Sequence, residues 1–197
     1  LEFRRVLFRS AVVSVLWVLY GYELAFGDSG SSVVGSFGWS HLGHTVDQAV
    51  ANGAAYPVPV LAFSAFQLMF AIITPALISG AVADRVRFAT WVVFVAVWVT
   101  VVYFPVAHWV FDFGSTDATG AGWLAARGVL DFAGGTAVHI NAGAAGLALA
   151  IVTGKRSGWR RDPMRPHSLP LVLIGAGLLW FGWFGFNAGS ALGANGT

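Results

Sequence analysis

Residues 58–83 read VPVLAFSAFQLMFAIITPALISGAVA, and DRVR follows at 84–87. The first stretch contains no Asp, Glu, Lys or Arg, and then two arginines arrive together. A helix needs roughly 20 apolar residues to cross the hydrocarbon core of a bilayer. This run is long enough, so it reads as a membrane-crossing helix. Arg85 and Arg87 behind it give a direction, because cytoplasmic loops carry an excess of Lys and Arg.

Four more apolar segments lie near 11–26, 88–111, 134–153 and 169–190. Over the 197 residues, 57% are hydrophobic and 10% charged, against about 25% charged in a soluble domain. Mean hydropathy is +0.72. The fold class is therefore all-α, a polytopic transmembrane helical bundle with about five spans. Lipid leaves no partner for free backbone N–H and C=O groups, which favours helices. The alternating pattern of a membrane barrel is missing.

The loops alternate in charge. Arg85 and Arg87 follow the second segment, and Lys155, Arg156, Arg160, Arg161 and Arg165 follow the fourth. Residues 27–57 hold no Lys or Arg, and 112–133 hold only Arg127. This places 84–88 and 154–167 in the cytoplasm and the two longer Gly/Ser-rich loops outside. A multi-pass protein of the cell (plasma or inner) membrane is expected. The pI near 9.4 comes from these short loops and not from a phosphate-binding stripe, so nucleic acid is no expected partner. The absence of cysteine excludes disulfides and thiolate metal sites.

Residues 1–10, LEFRRVLFRS, are basic where the rest is apolar. They read as a non-native scar, with a native basic flank as the alternative; residues 11–197 then form a partial transmembrane domain. The chain stops at SALGANGT and reads as a fragment. Segment four is dense in Gly and Ala, which allow close helix approach, so it is expected to have neighbours on most sides. Gly182, Gly185 and Gly189 read the same way. Trp91 and Trp109 suit an interfacial aromatic belt.

Residues 131–150, DFAGGTAVHINAGAAGLALA, place two ionisable groups in this smooth segment. A carboxylate at Asp131 can cap the helix and meet the positive end of its dipole. It can equally stabilise a nearby cation. His139 lies within the span, where an ionisable side chain usually faces a cavity or a polar partner. A neutral imidazole offers one donor and one acceptor, which suits a small molecule with N–H bonds and a lone pair better than a bare metal cation. Haem would need a second histidine at matching depth, and neither His108 nor His167 lies there. No cofactor or metal is expected.

With these residues stand YGYELAFG (20–27), FQLMFAIITPALISGAVADRVRF (66–88), LDFAGGTAVHINAGAAGL (130–147) and LWFGWFGFNAGSA (179–191). In that order they resemble the ammonium transporter family (Amt/Mep/Rh), and its bacterial transporters more than its Rh branch. The resemblance implies the second to sixth of eleven helices, arranged in two halves of inverted topology, in a protein that forms homotrimers with one pore per subunit. It implies transport of ammonium or ammonia and no enzymatic activity.

By motif, Phe70 resembles the outer of two stacked phenylalanine gates and Phe186 its partner. Ser190 resembles the serine that accepts a hydrogen bond from ammonium in the outer vestibule, and Asp131 the acidic residue of cation recognition and deprotonation. His139 resembles the first of two pore histidines. Phe111 stands where the family commonly has Trp, a weaker cation–π surface; Trp123 is a candidate to replace it. Ser168 stands where a related loop motif often has Asn. Read without the motif, Phe70 and Phe186 are core packing.

The resemblance also implies a cytoplasmic regulatory signal-transduction protein as a partner of the full-length transporter. Two other readings stand beside bulk transport: an ammonium sensor of the same fold, and a truncated fragment with no function of its own.

Overall fold

A computed structural model describes residues 2–27, 31–37, 42–43, 58–114 and 120–192. Most of the outer loop read at 27–57 therefore lies outside the described residues, as do 115–119 of the second outer loop and the closing 193–197. Five helices are long and apolar enough to cross a membrane: α1 (Leu7–Phe26), α2 (Val60–Val82), α3 (Phe88–Phe111), α4 (Gly135–Thr153) and α5 (Leu169–Gly189). Each overlaps its expected segment. The first helix begins earlier than the apolar pattern, at Glu2. Helices α1, α3 and α4 each contain a π-helical stretch, at Trp17–Gly21, Val99–Tyr103 and Gly135–Ile140.

Helix α1 packs along α3, and α2 packs along α4. Between them lies an aromatic core of Trp17, Tyr22, Phe26, Phe63, Trp91, Tyr103 and Phe104. Polar atoms in the core and beside it pair across helices. Trp17 Nε1 donates to Ser64 Oγ at 3.2 Å. Tyr20 Oη meets Thr100 Oγ1 at 2.8 Å, and Thr100 in turn donates to Ala96 O.

Two ends of the bundle are distinct. At one, the Arg85 guanidinium donates to Ala81 O and Gly154 O, and Arg156 donates to Gly80 O, tying the ends of α2 and α4 together. Cations there face the negative ends of helix dipoles. At the other end, Trp109 Nε1 donates to Val33 O and the Trp123 N–H to Ser32 O. The basic and base-free loops thus sit at opposite ends, as the alternating charge requires.

Two expectations change. Trp91 is 1% exposed and stacks on Phe94 at 5.5 Å, so it is interhelical packing and not a lipid-interface anchor. Hydropathy cannot separate the two environments, because both are apolar around the ring. Trp109, half-buried with its N–H bound at the outer end, fits the belt. Among the described residues, segment four is covered on one side only. Within α4 proper only Ala137, Val138 and Ala142 are buried, and no residue of α5 is. The small residues let α4 approach α2 on one face, with Gly146 near the Ala81 methyl. The remaining faces of α4 and α5 are open and apolar.

Candidate functional site

The site grows from the turn that starts α4. Asp131 Oδ1 accepts the Gly134 N–H at 2.6 Å, and Oδ2 accepts those of Thr136 and Ala137 at 2.7 and 2.9 Å. One carboxylate therefore satisfies three first-turn donors that the helix leaves unpaired. Gly134 sits between them at φ +90°, a conformation that an L-residue adopts only under strain. Its carbonyl receives the N–H of both Val138 and His139, so this turn sets where His139 stands. We expect Gly134→Ala to lower stability by about 1–2 kcal/mol, and more if the Val138 methyl 3.0 Å from the added carbon cannot yield. Thermal melting of the purified protein in detergent checks this.

Two cavities meet at an aromatic pair. Phe70 of α2 and Phe186 of α5 stack at 4.6 Å between centroids and 30° between planes. Phe70 lines a cavity of about 100 Å³ with Phe66, Gln67, Phe111, Asp131 and Ser190. Phe186 lines a second, of about 230 Å³, with Ile73, Leu77, Val138, His139 and Trp183. The His139 ring stacks on Trp183 at 5.8 Å and 18°, and Trp183 adjoins Phe186 at 5.6 Å. A continuous run of aromatic faces thus leads from Phe111, 5.8 Å from Phe70, to His139. The His139 side of the second cavity is open, because α4 and α5 carry no further element there among the described residues.

The wall of the first cavity is braced from outside. Phe111 ends α3, and the next residue, Asp112, places Oδ2 3.2 Å from His108 Nδ1. That nitrogen also lies 3.1 Å from Ala25 O, and Nε2 lies 2.9 Å from Ser31 O. Each ring nitrogen therefore has oxygen partners within hydrogen-bond distance. His108 thereby fastens the end of α3 to the end of α1 and to the outer loop.

All six sequence-predicted residues line one of the two cavities. Ser190, Phe70, Phe111 and Asp131 share the first cavity, His139 lines the second, and Phe186 stands between them. Trp123 lies elsewhere. It packs edge-on against Trp109 at 5.7 Å with Arg127 over its ring, and it does not line the first cavity. Three further residues of the site, Phe63, Phe66 and Gln67, share the face of α2 that carries Phe70 and escape a reading of the sequence alone. Their spacing of three and four residues is a helical stripe, but in an apolar span such a stripe looks like packing. Among the described residues no group of three or more His, Asp or Glu side chains is placed to hold a metal ion.

Five apolar spans, with two cavities separated by a stacked aromatic pair, define a polytopic helical membrane protein. Residues 3–197 match the family model described as Ammonium Transporter Family, and the chain belongs to that family. The ammonium transporter of Mycobacterium tuberculosis is 56% identical over 200 residues, covering 94% of this chain and 42% of the relative. Amt1 of Archaeoglobus fulgidus is 43% identical, covering 95% and 44%. Among solved structures, Candida albicans Mep2 superposes with a TM-score of 0.77 at 37% identity, covering 95% of this chain and 40% of that one. A structure titled Sensor Amt Protein gives 0.79 at 32%, covering 98% and 46%. The chain spans less than half the length of these relatives. The two sequence relatives are named as ammonium transporters, a transport family and not enzymes.

Proposed function

We propose that the full-length protein carries ammonium nitrogen across the cell membrane, recognising the cation at an outer vestibule and conducting it onward as neutral ammonia. The observation that carries this reading is the stacked Phe70/Phe186 pair between a cavity with polar groups and an apolar cavity bordered by His139. Ser190 accepts one ammonium N–H, and Phe70 and Phe111 supply π faces to its charge. Asp131 supplies negative charge at the mouth.

Past the aromatic pair, little replaces the water around a cation, and a bare charge at membrane depth is costly. Losing a proton removes that cost. Ammonium has a proton to lose; potassium, of similar size and charge, has none. His139 then offers hydrogen bonds to the neutral species. The open faces of α4 and α5 are apolar, which suits cover by further membrane-embedded helices of the full-length protein. Homotrimer formation and a cytoplasmic regulatory signal-transduction partner belong to the same family-based proposal.

The test is reconstitution of the full-length protein in liposomes. Saturable uptake of ammonium, with potassium neither entering nor competing, is the expected result. Equal permeation by potassium would overturn the proposal. A sensor role is the second reading, raised by the likeness to the Sensor Amt Protein structure. It is distinguished by ammonium-dependent signalling output without bulk flux.

A further inference from the structure

The basic end of the bundle holds another cavity, of about 270 Å³, lined by Asp84, Arg85, Arg156, Ser157, Met164 and Arg165. It lies just past the ends of two membrane-crossing helices, Val82 of α2 and Thr153 of α4. Three guanidinium groups line this one space. Like charges brought together repel, and a guanidinium cannot shed its proton to relieve them. Among the described residues none of the three has a carboxylate within ion-pair distance; the pair that is formed joins His108 to Asp112, at the other end of the bundle.

The cavity is built rather than a chance meeting of loose side chains. Arg85 and Arg156 are half-buried. Arg85 donates to Ala81 O and Gly154 O, and Arg156 donates to Gly80 O at 2.6 Å. The loop beside them folds on itself. The Trp159 N–H meets Arg156 O, and the N–H groups of Arg161 and Asp162 share Gly158 O. Arg165 follows in a turn whose N–H meets Pro163 O at 2.9 Å. Its own side chain is exposed, with no hydrogen bond among the described residues.

Charge selects the class of ligand. The carbonyl ends of α2 and α4 each carry about half a negative charge, and Asp84 carries a full one. Against three guanidiniums the lining keeps about one positive charge. A phosphodiester carries one negative charge, and its oxygens match the fork of N–H donors on each arginine. A phosphate monoester carries about 1.5 to 2 and meets repulsion from Asp84. Asp84 and Ser157 offer acceptors to hydroxyl groups, and Met164 offers an apolar contact. Phosphodiesters with hydroxylated headgroups occur at this depth, just outside the hydrocarbon layer, on anionic phospholipids.

We infer that this cavity binds the headgroup of an anionic phospholipid of the cytoplasmic leaflet. Arg85, Arg156 and Arg165 donate to its phosphate, and Asp84 and Ser157 accept from its hydroxyls. The bound phosphate joins the end of α2 to the loop that follows α4. Binding here is independent of which solute crosses the membrane.

The experiment titrates the full-length protein in nonionic detergent with dihexanoyl phosphatidylglycerol and, separately, dihexanoyl phosphatidylcholine, reading bound lipid by native mass spectrometry. Salt of about 0.15 M screens diffuse attraction beyond about 8 Å. Phosphatidylglycerol binds at least about tenfold more tightly than phosphatidylcholine, and Arg165→Gln weakens it about tenfold, as loss of one charge-assisted hydrogen bond requires. Lys155→Gln removes the same charge from the same loop but outside the cavity, and changes binding less than about twofold. Both variants melt as the unaltered protein does.

Equal weakening by Lys155→Gln marks diffuse attraction to a basic loop and overturns the assignment. Equal binding of the two lipids does the same. So does a lower melting temperature in Arg165→Gln with lipid binding unchanged, which confines Arg165 to the fold. Displacement of the lipid by inorganic phosphate at matching concentration marks a site for free phosphate and overturns the lipid headgroup as its occupant.

Discussion

Asp131→Ala in the full-length protein abolishes saturable ammonium uptake and lowers its melting temperature. The two effects have separable causes in one carboxylate. Structurally, Asp131 holds the Gly134, Thr136 and Ala137 N–H groups at 2.6–2.9 Å, and Ala leaves all three without that partner. A lost helix cap typically costs about 1 kcal/mol and up to about 2. Three donors on a half-buried carboxylate place this one at or above the upper figure. The turn also fixes the carbonyl that receives the His139 N–H, so relaxation here moves the second cavity as well as the first.

The charge itself is the other cause. Among the described residues, Asp131 is the one carboxylate lining the first cavity, where an approaching cation sheds part of its water. Asp131→Asn separates the two roles. An amide oxygen still accepts some of the first-turn N–H groups, so we expect its melting temperature to lie closer to that of the unaltered protein than that of Asp131→Ala does. Ammonium uptake still falls at least tenfold, because the negative charge is gone. Uptake at the normal rate in Asp131→Asn would confine Asp131 to its capping role.

How far the sequence alone carries this depends on which residues are asked about. The five spans were legible because a long, uninterrupted apolar run is poorly solvated by water and well solvated by lipid, and the loop arginines ordered them. The start of α1 was not. Arg4, Arg5 and Arg9 break the hydropathy signal but have good helix propensity, so the helix runs back to Glu2. Asp131 was legible as a cap, since a carboxylate before Phe-Ala-Gly-Gly and an apolar run has a local geometric meaning. The π-helical stretch that carries His139 has no comparable sequence mark. The bracing of His108 by Ala25 and Ser31 joins residues 83 and 77 positions apart, which no local pattern reports.

His139→Asp is expected to abolish ammonium conduction while leaving the fold intact. The ring lines a cavity whose other walls are Ile73, Leu77, Val138, Leu179, Gly182, Trp183 and Phe186, and its described ring contact is the stack on Trp183. Little of the described helix packing depends on the ring, so any loss of melting temperature comes from the carboxylate in an apolar lining and not from lost packing. Conduction is another matter. A carboxylate in that apolar lining either remains charged, attracting and holding cations, or takes up a proton and turns its hydrogen bonding about. The charged state has no donor, and the protonated acid holds its one donor and its acceptor oxygen on a shorter side chain than the imidazole, away from the position of Nε2. His139→Phe supplies the complementary case. It preserves an aromatic ring against Trp183 and the width of the passage, yet removes both nitrogens. If the nitrogens act only by filling space, the Phe variant conducts as the unaltered protein does. If they hydrogen-bond the passing species, flux falls about tenfold or more, the factor that loss of one such bond of about 1.4 kcal/mol imposes. Potassium remains excluded in the Phe variant, because the Phe70/Phe186 pair and the outer cavity are untouched. Ammonium flux and potassium flux measured side by side in the two variants therefore tell a histidine that serves the passing molecule from one that merely lines its route.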